Sequence, residues 1–197
     1  GNFGNAYAGW LAKRMGLPVL RLIVATNEND TFDRFVRTGV YRPRPASETI
    51  QTTSPSMDIS RAANVERFLY SFLKGDSRRV RELMVLLDDT GEFSLSAEEF
   101  SRLRRSGLSS GSSDHPNRLE IVEEMYLNHH VFVDPHTADA LYSGIILHPV
   151  GVKTLCLETV QPVKFPRMVR AATGHNPEWP FGYKAPPEVV TPPASHA

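Results

Sequence analysis

The chain has 197 residues, with 22 Lys plus Arg against 22 Asp plus Glu, so its formal net charge is zero. That length suits one domain, and the balance excludes a polyanion-binding surface, which needs a basic excess gathered on one face. A hydrophobic share of 41% argues against disorder over most of the chain, one cysteine excludes an internal disulfide, and no apolar run reaches the roughly 20 residues of a membrane span.

Together these features predict a soluble, cytoplasmic α/β protein with no nucleic-acid or membrane partner. In chain order, Gly1-Asn2-Phe3-Gly4-Asn5 runs into a helix whose expected apolar stripe is Ala8, Leu11, Ala12 and Met15. Gly16 stands at a left-handed cap position, and Pro18 blocks continuation. Residues 20–25 read as a buried strand. Thr26-Asn27-Glu28-Asn29-Asp30 then supplies capping groups for a helix over 31–37, ended by Gly39. Residues 42–60 hold three prolines and many hydroxyls and read as extended loop. Helices are expected over 64–74, with Val65, Phe68, Leu69 and Phe72 inward, and over 77–87, with Val80, Leu83, Met84 and Leu87 inward. Ser96 and Glu99 have capping-box spacing. Residues 108–114, with Ser109-Ser110-Gly111-Ser112-Ser113, read as the most flexible stretch. A helix follows over 118–128, and Asp134 and Pro135 start another with Ala138, Leu141, Tyr142 and Ile145 inward. Residues 153–158 read as a second buried strand, 166–173 as a short helix, and 177–197 as a proline-rich tail.

The opening segment carries the most chemical information. Two glycines three apart, entering a helix, let the backbone approach an anion and aim free amides and the positive helix end at it. The segment matches neither the dinucleotide fingerprint nor the P-loop, so a phosphate cradle and a plain turn both remain open. Thr159 falls at the carboxyl end of the expected second strand, where ligands of open α/β sheets gather; a self-bonded turn residue is the other reading. His129 and His130 are adjacent and cannot face one metal from a helix, so no metal site is expected. Cys156 reads as a small buried hydrophobe, and His136 as either a capping neighbour or a site residue.

Several motifs in order resemble the threonine synthase family. Gly1 to Asn5 with Ala8-Gly9, Lys13, Met15-Gly16-Leu17-Pro18 and Ala25-Thr26-Asn27-Glu28-Asn29-Asp30 is similar to the opening of that family's C-terminal part. Ser54-Pro55-Ser56-Met57-Asp58-Ile59, with Asn64, Glu66, Arg67 and Phe68, resembles its next signature. Gly111, Ser113, His115 and Arg118, then Asp134-Pro135-His136-Thr137-Ala138, then Thr159, Pro162, Lys164 and Phe165, continue the likeness. The resemblance implies an α/β fold with an open, mostly parallel sheet flanked by helices, part of a type II pyridoxal-phosphate enzyme. It implies conversion of O-phospho-L-homoserine and water into L-threonine and phosphate, with pyridoxal 5'-phosphate as cofactor. Carried over by position, Gly1, Asn2, Phe3, Gly4 and Asn5 hold the cofactor phosphate and Thr159 bonds the pyridine nitrogen. Ser113, Arg118 and His136 fall where substrate contacts are expected, without assigned roles.

One departure limits the resemblance. The family's Schiff-base lysine stands in a phenylalanine-lysine-aspartate segment upstream of the glycine loop, and Lys13, Lys74, Lys153, Lys164 and Lys184 all have other neighbours. No residue of the chain is therefore assigned as catalytic. Residues 1–176 are expected to be the C-terminal part of a cofactor-binding domain, cut at the glycine loop, with 177–197 as tail. The expected partner is the N-terminal part of the same protein, in a monomer or homodimer. The alternative is a non-catalytic phospholigand-binding module derived from the same fold.

Overall fold

The first helix, α1 (Gly4–Arg14), follows Phe3, whose backbone is left-handed at φ 61°. The computed structural model describes residues 2–180, 182 and 183, so Gly1 and most of the expected tail lie outside the described residues. After α1 come β1 (Leu22–Thr26), α2 (Thr31–Thr38) and β2 (Val40–Tyr41). Gly39, at φ 77°, makes the left-handed turn that ends α2. The expected loop at 42–60 is present, broken by single 3-10 turns at Ala46–Glu48 and Pro55–Met57. Then follow α3 (Asn64–Phe72), α4 (Ser77–Thr90), β3 (Phe93–Ser94), α5 (Ala97–Arg104) and β4 (Leu108–Ser112). The chain continues through α6 (His115–His129), α7 (Pro135–Leu147) and α8 (Pro166–Thr173).

Strands β1 and β4 pair in parallel, from Leu22 opposite Leu108 to Thr26 opposite Ser112, and β2 pairs antiparallel with β3. Successive strand residues point to opposite faces. Ser110 bonds Asp33 of α2, while the neighbouring Gly111 abuts Ser143 and Leu147 of α7, so α2 and α7 cover opposite faces of the parallel pair. The larger core is aromatic: Phe3, Trp10, Phe32, Phe35, Tyr41, Phe68, Phe72 and Phe93 are all buried in it. A smaller core joins α6, α7 and α8 through Ile121, Val122, Ala138, Met168 and Val169.

Four sequence expectations are corrected. Helix α1 packs through Phe3, Ala6, Tyr7 and Trp10, while Met15 is 87% exposed and Ala8 and Leu11 are also exposed. The aromatic rings, with more area to bury, fix the rotation of α1. The serine-rich stretch at 108–114 is not flexible; most of it is β4, because its hydroxyls find buried partners. Ser110 Oγ donates to Asp33 Oδ1 at 2.7 Å and Ser112 Oγ to the Asn27 carbonyl at 2.8 Å. Residues 153–158 form no strand among the described residues, and Leu155 stands 84% exposed. Among the described residues no neighbouring strand pairs with their backbone groups. Ile145, expected inward on α7, is also exposed.

Candidate functional site

Asn2 ties the glycine segment to the loop before α3. Its Oδ1 accepts the Ala63 N–H at 2.7 Å, and its carbonyl accepts from Asn64 Nδ2 at 2.9 Å. Phe3 is buried, its ring stacked on Phe32 at 4.0 Å and edge-on to Phe68 at 5.6 Å. This packing holds Phe3 in its left-handed backbone, a conformation rare for a bulky residue. No side chain caps α1, and its first turn carries no acid. The amides of Gly4, Asn5 and Ala6 precede any intrahelical acceptor, so they are free to bind an anion with the helix dipole behind them. That donor set fits a phosphate.

A second, buried polar cluster sits beyond the carboxyl ends of β1 and β4. Asn27 Nδ2 donates to Asp58 Oδ1 at 2.9 Å, Asn29 Nδ2 to the Ile50 carbonyl at 2.8 Å, and Asp58 Oδ2 accepts the Thr52 N–H at 2.8 Å. These bonds pin residues 50–58 to the strand end. Arg118 is fully buried; its guanidinium grips Glu28 at 2.7 and 2.9 Å, Asp139 at 3.0 Å and Thr53 at 2.9 Å. Ser113 Oγ donates to the same Asp139 oxygen. His136 shares Nδ1 with Asp134 at 2.8 Å, accepts the Ser56 N–H on Nε2 at 3.1 Å, and meets Phe165 edge-on at 5.0 Å.

Electrostatics follow from this packing. Burial works against the Arg118 charge, but Glu28 and Asp139 outweigh it and hold the guanidinium above its ordinary value. Burial raises the Asp139 carboxyl, despite the bonds from Ser113 and Arg118. Asp134 feels the same burial, yet its bonds from His136 and Thr137 pull it below the usual carboxylate value. Burial also raises the Cys156 thiol, with Asp134 and Glu158 adding to the effect, so Cys156 is no activated nucleophile.

The structure thus joins Ser113 and Arg118 in one network through Asp139, and sets His136 in an adjacent one with Asp134 and Ser56. Both ring nitrogens of His136 are engaged. Thr159 is exposed beside a bend, with no strand before it, and no hydrogen bond joins it to the glycine segment among the described residues. Residues 50–64 touch both regions, through Ser56 to His136 and through Ala63 to Asn2. Glu28 and Asp58 entered the sequence reading only as members of longer motifs, and Thr53 and Asp139 did not enter it as site residues. Asp139 lies inside an apolar stripe, and only its encounter with Arg118, 21 residues away, gives it a role. Among the described residues no group of three or more His, Cys, Asp or Glu is placed to hold a metal, and no helix is long and apolar enough to cross a membrane.

No protein-family model matches the chain. It is 45% identical over 181 residues to the threonine synthase of Methylobacillus glycogenes, covering 91% of this chain and 38% of that protein. It is 43% identical over 188 residues to the threonine synthase of Corynebacterium glutamicum, covering 94% and 39%. The crystal structure of PLP-bound threonine synthase from Brucella melitensis superposes with a TM-score of 0.86 at 38% identity, covering 92% of this chain and 38% of that one. Yeast threonine synthase superposes with a TM-score of 0.82 at 29% identity, covering 95% and 40%. The chain therefore spans about two-fifths of the length of the relatives it matches.

Proposed function

We propose that this chain, which belongs to the threonine synthase family over the residues it shares with those relatives, builds part of a pyridoxal 5'-phosphate site. At that site O-phospho-L-homoserine and water become L-threonine and phosphate. The observation that carries this reading is the uncapped start of α1, fixed by Asn2 and by the buried ring of Phe3. In this reading Gly1, Asn2, Phe3, Gly4 and Asn5 hold the cofactor phosphate, and Thr159 offers its hydroxyl to the pyridine nitrogen. Bound there, the cofactor supplies an electron sink that acidifies the α-proton of the amino-acid substrate.

The chain's own residues then bind and orient. The amides of Gly4 to Ala6 face the phosphate charge, and Phe3 keeps them aimed by locking the turn before them. Ser113, Arg118 and His136 act as positioning residues, since each spends its polar atoms on protein partners. Arg118 holds Thr53, and His136 holds Ser56, so both shape the 50–58 loop. The unpaired backbone and exposed leucines of residues 153–158 support a chain that works as part of a larger protein. None of its lysines stands in a phenylalanine-lysine-aspartate context.

The test compares the chain with Asn2→Ala. Equilibrium dialysis is expected to show pyridoxal 5'-phosphate binding that weakens about fivefold in the variant, from the loss of the side-chain hydrogen bond to the Ala63 N–H, while the bond to the Asn2 carbonyl remains. The chain alone is expected to release no phosphate from O-phospho-L-homoserine. Affinity unchanged by Asn2→Ala, or turnover by the 197 residues alone, would sink the reading.

A further inference from the structure

Away from these residues, α1, the end of α3 and the end of α5 line an open cavity of about 750 Å3. That volume lies within the range of small-molecule sites. Tyr7, Trp10 and Tyr70 contribute aromatic surface, and Arg14, Lys74, Arg102 and Arg105 contribute positive charge. No carboxylate lines the cavity, and none of these four cations forms an ion pair among the described residues. The adjoining groove is different, because it balances Arg67 and Arg81 with Glu66 and Asp88. In a chain of zero net charge, four cations without ion pairs around one cavity give it a positive potential that attracts an anion.

Two further observations point inward. The guanidinium of Arg102 lies 4.8 Å from the centre of the Phe72 ring, and its Nε is buried without a hydrogen-bond partner. The ring thus holds the guanidinium in place, with its Nε shielded from solvent. The aromatic wall is also set in advance. Ser71 accepts from Trp10 Nε1 at 3.1 Å through its hydroxyl and from Arg14 Nη1 at 2.8 Å through its carbonyl, so one residue fixes an indole and a guanidinium on the same wall.

We propose that this cavity binds a small organic anion: a phosphate or carboxylate head on a flat or apolar body. Arg14, Lys74, Arg102 and Arg105 take the head, and Trp10, Tyr7 and Tyr70 take the body. The site is separate from the start of α1 and stands without the reading given to that end.

The test uses the polypeptide that the gene encodes, loaded with pyridoxal 5'-phosphate and then freed of excess cofactor by gel filtration, so that any phosphate site at α1 is filled and no free cofactor competes for the cavity. Calorimetric titrations with phenyl phosphate, benzoate and the neutral benzyl alcohol are compared. At least one of the two anions is expected to bind saturably, about tenfold or more tighter than the alcohol, and the tighter of the two identifies the head. The double variant Lys74→Gln/Arg105→Gln is expected to weaken that binding about tenfold while leaving Tm and the cofactor absorbance unchanged. Should the double variant not fold, Arg105→Gln alone, at an exposed position, gives the same comparison with a smaller loss. Absence of saturable anion binding, equal binding of the alcohol, or binding undiminished in the folded variant overturns the proposal. The first result would mean that the cavity is covered within the whole protein.

Discussion

Arg118 is the residue on which the buried polar cluster turns. It is fully buried and neutralises two carboxylates, Glu28 at the rim and Asp139 inside. Replacing Arg118 by Met keeps much of its volume but strands Asp139 as a buried charge. Removing one partner of a buried pair costs about 3 to 5 kcal/mol, because the other is left uncompensated. Urea melts at neutral pH are therefore expected to show a loss of that order for Arg118→Met. The loss has a pH signature. Burial already raises Asp139 in the folded state, and without Arg118 its folded pKa rises further. A carboxyl raised in the folded state favours folding while protonated and loses that stability as pH rises through the folded value. The penalty of Arg118→Met is therefore expected to shrink near pH 4 and to be full at pH 7. A penalty flat across that range would mean that lost packing, and not the stranded charge, sets it.

Among the elements, those with local signals were legible in the sequence. The capping box at Ser96 and Glu99 forms as read, with Ser96 Oγ accepting the Glu99 N–H at 3.2 Å, and Asp134 caps α7 by accepting the His136 N–H at 2.8 Å. Gly39, and the buried faces of α3 and α4, also follow from spacing alone. Strand β4 did not, because serine and glycine signal turns locally and only distant partners make them a strand. Its need for small residues is greatest at Gly111, where an added Cβ would lie 3.1 Å from Ser143 Oγ and 3.2 Å from Leu147 Cδ1. Gly111→Val would have to push α7 off the sheet. Overpacking of this kind costs about 1 to 3 kcal/mol, and thermal unfolding is expected to show Tm lowered accordingly. Ser143→Gly in the same chain is expected to recover part of the loss, since it removes the nearest atoms; an unaltered Tm in Gly111→Val would show that α7 does not press on β4.

At the scale of the molecule, the ordered motifs indicated the family, yet the strand expected to carry Thr159 does not form among the described residues. The physical reason lies at 145–157. Thr154 Cγ2 comes within 3.5 Å of the point where a Cβ on Gly144 would stand, and Cys156 is half-buried, so alternate residues rest against α7. The alternating residues Leu155 and Leu157 point outward, and with Val150, Ile145 and Ile146 they leave apolar surface more than half exposed. From sequence, residues 153–158 read as a buried strand, whereas both leucines face solvent. Exposed apolar surface beside unpaired backbone favours association. The isolated chain is therefore expected to self-associate as its concentration rises, measured by sedimentation velocity. Leu155→Glu/Leu157→Glu is expected to shift it toward monomer without lowering Tm, because neither side chain is in the core. A chain that is already monomeric at every concentration would show that this surface is not adhesive. A variant that dissociates but also melts early would show instead that the two leucines pack against the chain's own surface.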